Sequence, residues 1–128
     1  MSPEASILVE LLPFEPIFHT RAFGLTPEQR EARTSPDYWE VGASGSIYSR
    51  DVILNIEPAH FVDAEIAGWS CREQAVRSLG PDTWLFTYTL LQPHRLTRRA
   101  TIWQNTPNGW TILYHQGTIV PDPALGHS

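Results

Sequence analysis

The sequence predicts an α+β fold in which helices come first along the chain and strands follow. Helix-capping signals occur in the first half, at Ser2, Thr26 and Ser49. The second half instead alternates apolar and polar residues with the period of two that is typical of strands. Turn residues such as Pro, Asn and Gly separate those strands. We therefore expect helices packed on one face of a mixed or antiparallel sheet.

The first predicted helix opens at Ser2-Pro3-Glu4, which supplies an N-cap, a proline at the first helical position and an acid that matches the helix dipole. Pro13 and Pro16 should kink or split this helix, because proline lacks the amide hydrogen that an internal helical residue donates. The apolar stripe continues past both prolines. A second helical piece is therefore predicted to reach about Thr20.

Two shorter helices are predicted between residues 26 and 58. Thr26-Pro27-Glu28-Gln29 is a capping box, and the helix that it begins must stop before Pro36. Ser49 caps the next helix, which is predicted from Asp51 to Ile56 and ended by Pro58.

The predicted strands begin with Tyr38 to Val41 and resume at Ile47-Tyr48 after a glycine-containing turn. One or two strands then cover the segment from Ile66 to Leu79. The turn Gly80-Pro81-Asp82 leads into a strand from Thr83 to Gln92. Its large residues recur with a period of two, which predicts one buried face: Trp84, Phe86, Tyr88 and Leu90.

A closing hairpin is predicted around Thr106-Pro107-Asn108-Gly109, a sequence that suits a type I turn followed by a residue of positive φ. If Gly109 forms the bulge of a three-residue loop, Trp103 lies across from Leu113 and Thr101 lies across from His115. One set of side chains then shares a face of the sheet: Arg99, Thr101, Trp103, Leu113 and His115.

The length of 128 residues predicts a single domain, with a core over residues 5–120 and a loose tail over residues 121–128. Aromatic residues make up 11% of the chain and include five Trp, which is ample material for a core. We expect the main core aromatics to be Trp39, Phe86, Tyr88 and Trp103.

Composition excludes several classes of function. The formal net charge of −5 disfavours nucleic-acid binding, and the absence of lysine excludes Schiff-base chemistry and a P-loop lysine. No apolar run approaches the ~20 residues of a membrane span.

The lone Cys71 is read as a residue of a surface strand and fits a reducing compartment, so a cytoplasmic location is expected. The histidines show no closely spaced ligand pairs, so neither a metal site nor a cofactor is predicted.

Glu40 and His115 are the candidate catalytic residues. A carboxyl in an apolar strand can have a raised pKa and act as a general base, or it can be held by a structural Arg such as Arg99. His115 can exchange protons near its unperturbed pKa of ~6.5, or it can be a fixed core histidine. Adjacent residues of a strand face opposite ways, so only one of Arg98 and Arg99 points inward, and the predicted register selects Arg99.

Several short motifs, taken in order, carry a family resemblance: Tyr38-Trp39-Glu40-Val41-Gly42-Ala43-Ser44-Gly45, Tyr48-Ser49-Arg50, Thr87-Tyr88-Thr89, residues 97–103, Gly109-Trp110 and residues 115–118. Together they resemble a bacterial domain-of-unknown-function family, number 4440, in the nuclear-transport-factor-2-like superfamily of SnoaL-like and cystatin-like proteins. The resemblance covers the chain from Phe14 to Val120. It implies a conical α+β fold, in which N-terminal helices and a strongly curved sheet enclose a pocket and the outer sheet face often forms a homodimer.

The wider superfamily includes ketosteroid isomerase, scytalone dehydratase and polyketide cyclases, which act on small, mostly apolar molecules by acid-base chemistry. The catalytic Asp of the isomerase would fall at about Gly42, which has no side chain, so that mechanism is not carried over. Glu40 points to the same side two residues earlier.

Two functions of different class stay open. The first is a pocket for a small apolar or aromatic molecule, which the protein binds or converts by isomerase-, dehydratase- or cyclase-like chemistry. In it Glu40 and His115 transfer protons or donate hydrogen bonds, and the expected ligand-binding residues are Tyr88, Arg99, Thr101 and Trp103. The second is a homodimeric interaction domain without catalysis.

Overall fold

The computed structural model of the protein describes residues 2–17, 19–56 and 64–121. Its helices are α1 (Pro3–Leu11), which a 3₁₀ turn over Leu12–Phe14 follows, α2 (Pro27–Ala32), α3 (Arg50–Ile56) and α4 (Ala64–Ala67). Its strands are β1 (Thr34–Val41), β2 (Ile47–Ser49), β3 (Ser70–Gly80), β4 (Thr83–Gln92), β5 (Arg95–Thr106) and β6 (Gly109–Ile119). The α+β order predicted from the sequence is confirmed.

Among the described residues, six strands form one mixed sheet in the order β2-β1-β6-β5-β4-β3. β1 runs parallel to β6, and every other neighbouring pair is antiparallel. The parallel pairing places the N-terminal half of the chain against its last strand. Residue 40 is thereby in register with residue 115, so the two candidate catalytic positions are neighbours in the sheet.

The predicted helix starts are confirmed by their hydrogen bonds. The Ser2 hydroxyl accepts from the amide of Ala5, and the Thr26–Gln29 capping box is complete in both directions. The predicted second helical piece is wrong where the structure describes it, because the 3₁₀ turn ends at Phe14 and Glu15 is extended. Phe18, Pro58 and the tail beyond residue 121 lie outside the described residues.

The closing hairpin confirms part of the predicted register and corrects the rest. Gly109 has a φ of +110°, and Thr101 pairs with His115, as predicted. Trp103 pairs with Ile112 instead of Leu113. The extra residue lies at Leu113 and not at the turn, since Thr106 pairs directly with Gly109 and the register shifts only beyond Ile112.

The sheet separates a buried inner face from an outer face. The helices and the first loop cover the inner face, whose core includes Leu11, Phe23, Phe86 and Trp103. Trp39, predicted for the core, is 45% exposed on the outer face, where its ring packs against Tyr114. β1 alternates its side chains, so burial of Tyr38 turns its neighbour outward.

The structure corrects the expected start of β3 and refines the expected position of Cys71 on it. The segment begins with α4 and becomes a strand only at Ser70, so Ile66 is helical and not extended. Cys71 is half-buried and packs against the core, and burial raises the pKa of its thiol. It lies on the edge strand β3, which has no fully buried residue, as the expected surface strand requires, but its thiol faces the core.

Candidate functional site

A cavity of about 230 Å³ opens at the inner side of the sheet, between the first loop and the ends of β1, β4 and β5. We call it the inner cavity. Its lining is mainly polar and brings residues from five parts of the chain together: Pro16, His19, Glu40, Gly42, Ala43, Ser44, Tyr48, Trp69, Leu90, Gln92, Arg95 and Arg99. The fold thus brings one carboxylate, two guanidinium groups and one imidazole to a single small space.

Glu40 reaches the inner cavity because β1 places residues 38, 40 and 42 on one face. The Tyr38 hydroxyl donates a 2.5 Å hydrogen bond to Glu40 Oε1. Burial, followed by the Glu40 charge, raises the pKa of Tyr38 well above its ordinary value. Tyr38 therefore remains a protonated donor that orients the Glu40 carboxylate.

Gly42 has a packing reason to lack a side chain. A Cβ added to it would lie 2.9 Å from Cε2 of Tyr48, closer than real Cβ contacts. The Tyr48 ring occupies the space where a side chain at residue 42 would point. Glu40 is thus the carboxylate that β1 contributes to the inner cavity.

Beneath the inner cavity lies a polar group that the sequence reasoning did not identify, the Glu15 cluster: Glu15, Tyr88, Thr101, Trp103 and His115. Glu15 is 7% exposed, and its two oxygens accept a 2.8 Å hydrogen bond from the Tyr88 hydroxyl and a 3.0 Å bond from Trp103 Nε1. Burial raises the pKa of Glu15, while the hydrogen bonds and the charge of Arg99 oppose that rise. The cluster ties the first loop to the middle of the sheet.

His115 belongs to this cluster and not to the cavity lining. Its Nδ1 lies 2.8 Å from Thr101 Oγ1, and the Thr101 hydroxyl lowers the pKa of Glu15 as a hydrogen-bond donor. Because the hydroxyl has one hydrogen, we infer that His115 Nδ1 donates to Thr101. Burial, followed by Arg99, lowers the pKa of His115 to about 3, so the ring is neutral at pH 7. Its buried Nε2 has no hydrogen-bond partner among the described residues.

The predicted site residues therefore separate into two layers. Glu40 and Arg99 line the inner cavity. The other four, Tyr88, Thr101, Trp103 and His115, join Glu15 below it. Glu15 was missed because it stands between two prolines in a stretch interpreted as a broken helix. Its signal was an acidic residue in a mainly apolar segment, the pattern that also singled out Glu40.

The outer face of the sheet carries a second depression, of about 450 Å³, which we call the outer groove. Its floor includes Leu85, Ala100 and Ile102, and its rim includes Glu73 and Arg98. Arg98 lines the outer groove and not the inner cavity, whereas Arg99 lines the inner cavity and also borders the outer groove.

The described part of the chain has neither a metal-binding cluster nor a membrane-spanning helix. Within residues 2–17, 19–56 and 64–121, no three His, Cys, Asp or Glu side chains come together as a metal site would require. None of the helices that the structure describes is long and apolar enough to cross a membrane.

Comparison with known proteins identifies the fold. No protein-family model and no curated protein matches the sequence. Solved structures do match: a cystatin-like fold protein from Burkholderia xenovorans has a TM-score of 0.68 at 16% identity, over 93% of this chain and 92% of that one. A nuclear-transport-factor-2-like protein from Cytophaga hutchinsonii has a TM-score of 0.64 at 13% identity, over 94% and 100%.

A candidate ketosteroid isomerase from Parabacteroides distasonis is also similar, with a TM-score of 0.57 at 11% identity, over 93% of this chain and 86% of that one. These likenesses show that the chain has the nuclear-transport-factor-2-like, cystatin-like fold predicted from the sequence. At such low identities they establish the architecture alone.

Proposed function

We propose that the protein binds a small molecule in the inner cavity and that Glu40 is the group that accepts a proton from it. The observation that supports this proposal is the convergence of Glu40, His19 and Arg99 on one concave space. Such a pocket is compatible with the fold class, which includes a candidate isomerase among its members. The narrower assignment to family 4440 stays a prediction.

Glu40 suits this role on chemical grounds. Its carboxylate is oriented by Tyr38 and lines the cavity, where a carboxylate oxygen is the kind of group that accepts a proton from a bound molecule. The candidate partner His115 lies deeper and is neutral, so we assign it and the rest of the Glu15 cluster a positioning role. Their hydrogen bonds hold the first loop to β4 and β5, and join β5 to β6.

A thermal-shift screen of small aromatic and polyketide-like compounds tests the binding proposal. A ligand at 100 times its dissociation constant adds ~2.7 kcal/mol to the free energy of unfolding. Ser44 is exposed and lines the cavity, so Ser44→Trp should obstruct the cavity and abolish the shift. Ser46→Trp, in the same exposed turn, is the matched control and should keep it. Equal binding by both variants would place the ligand elsewhere.

Exchange of an acidic C–H of the bound compound with deuterated solvent, followed by NMR, tests the role of Glu40. Glu40→Gln preserves the shape of the side chain but cannot accept the proton. We expect the variant to bind and the exchange to fall at least tenfold. If Glu40→Gln exchanged the proton at the wild-type rate, Glu40 would not be the proton acceptor, and only the binding proposal would stand.

A second function is favoured by the outer groove. Its apolar floor lies on the same face as Trp39, which is nearly half exposed, and contiguous apolar surface of this kind marks interaction sites. We propose a homodimer formed through this face, with the two copies related by a two-fold axis. Light scattering at micromolar concentration should report a dimer for the wild type and a monomer for Ile102→Asp.

Val9→Asp is the control for that experiment, because Val9 is exposed on α1, outside the outer groove. It should leave the dimer intact. A wild-type monomer, or a dimer that Ile102→Asp does not disturb, would contradict the dimer proposal.

A further inference from the structure

Arg99 is a fixed cation inside the inner cavity. It lies on the inner face of β5 between the fully buried Thr97 and Thr101, and it is itself only half-buried. Its Nε donates a 2.9 Å hydrogen bond to Thr97 Oγ1. That bond orients the guanidinium without using its two Nη groups, which present parallel N–H donors in a fork.

The guanidinium of Arg99 has no close acidic partner in the described part of the chain, although its charge acts on Glu15 at longer range. It forms no ion pair within 4.0 Å there, and neither Nη donates to a described residue. Two other partly buried arginines have more partners: Arg33 donates to two backbone carbonyls, and Nη2 of Arg50 lies 4.0 Å from a Glu31 carboxylate oxygen, although Arg50 Nε is buried without a partner among the described residues. A cation held in a cavity without such partners is costly, because part of its hydration is lost.

The charge of the inner cavity is opposite to that of the whole chain. The protein has a formal net charge of −5, yet the cavity lining has two arginines, Arg95 and Arg99, and one carboxylate, Glu40. The lining thus has one more arginine than it has carboxylates. Glu15 lies outside this lining; burial raises its pKa, and the charge of Arg99 opposes that rise.

We propose that the ligand of the inner cavity is a small carboxylate, whose two oxygens accept hydrogen bonds from both Nη groups of Arg99. This inference rests on the proposed function, that the cavity binds a small molecule. A single excess arginine fits a monoanion better than a phosphate dianion, and a planar carboxylate matches the planar guanidinium fork.

The dimensions of the cavity limit the rest of the ligand. A volume of about 230 Å³ is below the ~300–1,000 Å³ of ordinary ligand pockets, so the molecule is no larger than a single substituted ring or a short chain. Trp69 and Tyr48 supply flat walls for such a ring. Benzoate is the simplest probe with both features, and benzamide is its neutral isostere.

The test titrates benzoate and benzamide into the full chain at pH 7, with affinities measured by calorimetry. Benzoate should bind at least tenfold more tightly than benzamide, and Arg99→Gln should reduce its affinity to that of the amide. Arg98→Gln is the matched control, since Arg98 is the next residue of β5 and lies on the outer groove. It should leave the benzoate affinity unchanged. Glu40→Gln should strengthen benzoate binding, because a like charge leaves the cavity.

A second measurement uses the wild type alone, so that a folding defect of Arg99→Gln does not decide the result. In ¹⁵N spectra of the arginine side chains, benzoate should shift the Arg99 Nε resonance and not that of Arg98. Equal affinity for benzoate and benzamide, or equal loss in both arginine variants, overturns the carboxylate inference.

Other results separate this inference from the proposed function. If neutral compounds bind in a manner that Ser44→Trp abolishes while no carboxylate binds, the inference fails and the pocket proposal stands. If no compound binds at all, both fail.

Discussion

The two faces of β5 differ in a way that departs from the usual arrangement of a sheet. On the inner face, Thr97, Thr101 and Trp103 are fully buried, and their neighbours are the polar groups Glu15 and His115. On the outer face, apolar Ala100 and Ile102 form the floor of an open groove. A purely structural sheet would place apolar groups inside and polar ones outside.

The comparison shows that the two faces meet different requirements. Buried polar groups are tolerated where nearly all of them have hydrogen-bond partners, as in the Glu15 cluster, and such a network holds one specific arrangement. An exposed apolar groove gains stability only when something covers it. The proposed ligand therefore belongs to the inner face, and the proposed dimer interface belongs to the outer face.

The largest expected loss of stability comes from truncating a large buried side chain on the inner face. Trp103→Ala removes a fully buried ring that packs against Phe14 and Phe23, and it also removes a donor to Glu15. Substitutions of this kind cost about 3–5 kcal/mol. Urea denaturation should show that loss, together with lost ligand binding. Trp39→Ala is the outer-face control. If it lowered the free energy of unfolding by a comparable amount, the two faces would not differ in their contribution to stability.

Next in size is the loss of the acceptor at the centre of the Glu15 cluster. Glu15→Ala leaves the Tyr88 hydroxyl and Trp103 Nε1 buried without an acceptor, and each such group costs about 1–3 kcal/mol. The exposed Glu10 accepts a similar bond from Trp110 Nε1 in a partly buried position, so Glu10→Ala is the matched control. Equal midpoints for the two variants in urea would mean that the buried cluster contributes no more than that partly buried contact.

The pH dependence of stability sharpens the comparison further. His115 has a pKa of about 3 in the folded chain against 6.5 unfolded, so its contribution is present above pH 6.5 and is lost as the pH falls toward 3. Glu15 acts in the opposite direction, because its raised pKa gives stability that is complete below pH 4.5 and lost as the pH rises through the folded value. The stability of the wild type as a function of pH contains both contributions.

Subtracting the free energy of unfolding of His115→Asn from that of the wild type isolates the contribution of the histidine. The difference should be largest above pH 6.5 and should shrink as the pH is lowered toward 3. Guanidinium denaturation at a series of pH values provides the measurement, with His94→Asn in the exposed β4–β5 turn as the control. A difference that does not change with pH would show that His115 is not held neutral.

The smallest expected effect is at the hairpin that sets the register of both faces. Gly109 has a φ of +110° and open space around its Cβ position, so Gly109→Val is disfavoured by backbone strain alone. We expect a cost somewhat above ~1 kcal/mol. Gly109→Asn should cost less, since asparagine tolerates positive φ better than a β-branched residue. An unchanged midpoint for Gly109→Val in urea would contradict the strained-turn geometry.

Local signals predicted the elements that depend on neighbours in sequence. The caps at Ser2 and Thr26 act within four residues, and the alternation from Trp84 to Leu90 follows from the geometry of one strand. The pairing of Thr101 with His115 was also predictable, because a tight turn and one extra residue determine it. The position of that extra residue was not, since a bulge at Leu113 depends on what β6 packs against.

The sequence predicted several residues of the candidate site but not how the polar residues contact one another. Glu40 and Arg99 were identified from their strands, and both do line one cavity. Glu15 was not identified, because its partners Tyr88 and Trp103 are 73 and 88 residues away and no local pattern indicates such contacts. Trp39 was misplaced for the same reason, since only the pairing of β1 with β6 decides which of its faces is covered.

The sequence by itself determined the α+β class, the helix starts, the alternating faces of the strands and the exclusion of lysine chemistry, since these depend on residue type and short-range geometry. Only the tertiary structure decided which polar groups meet. The parallel pairing of β1 with β6 brings Glu40 beside His115, and the extended backbone at Glu15 carries its carboxyl under the sheet. Contacts between residues so far apart depend on how the whole chain is packed, and no short stretch of sequence specifies them.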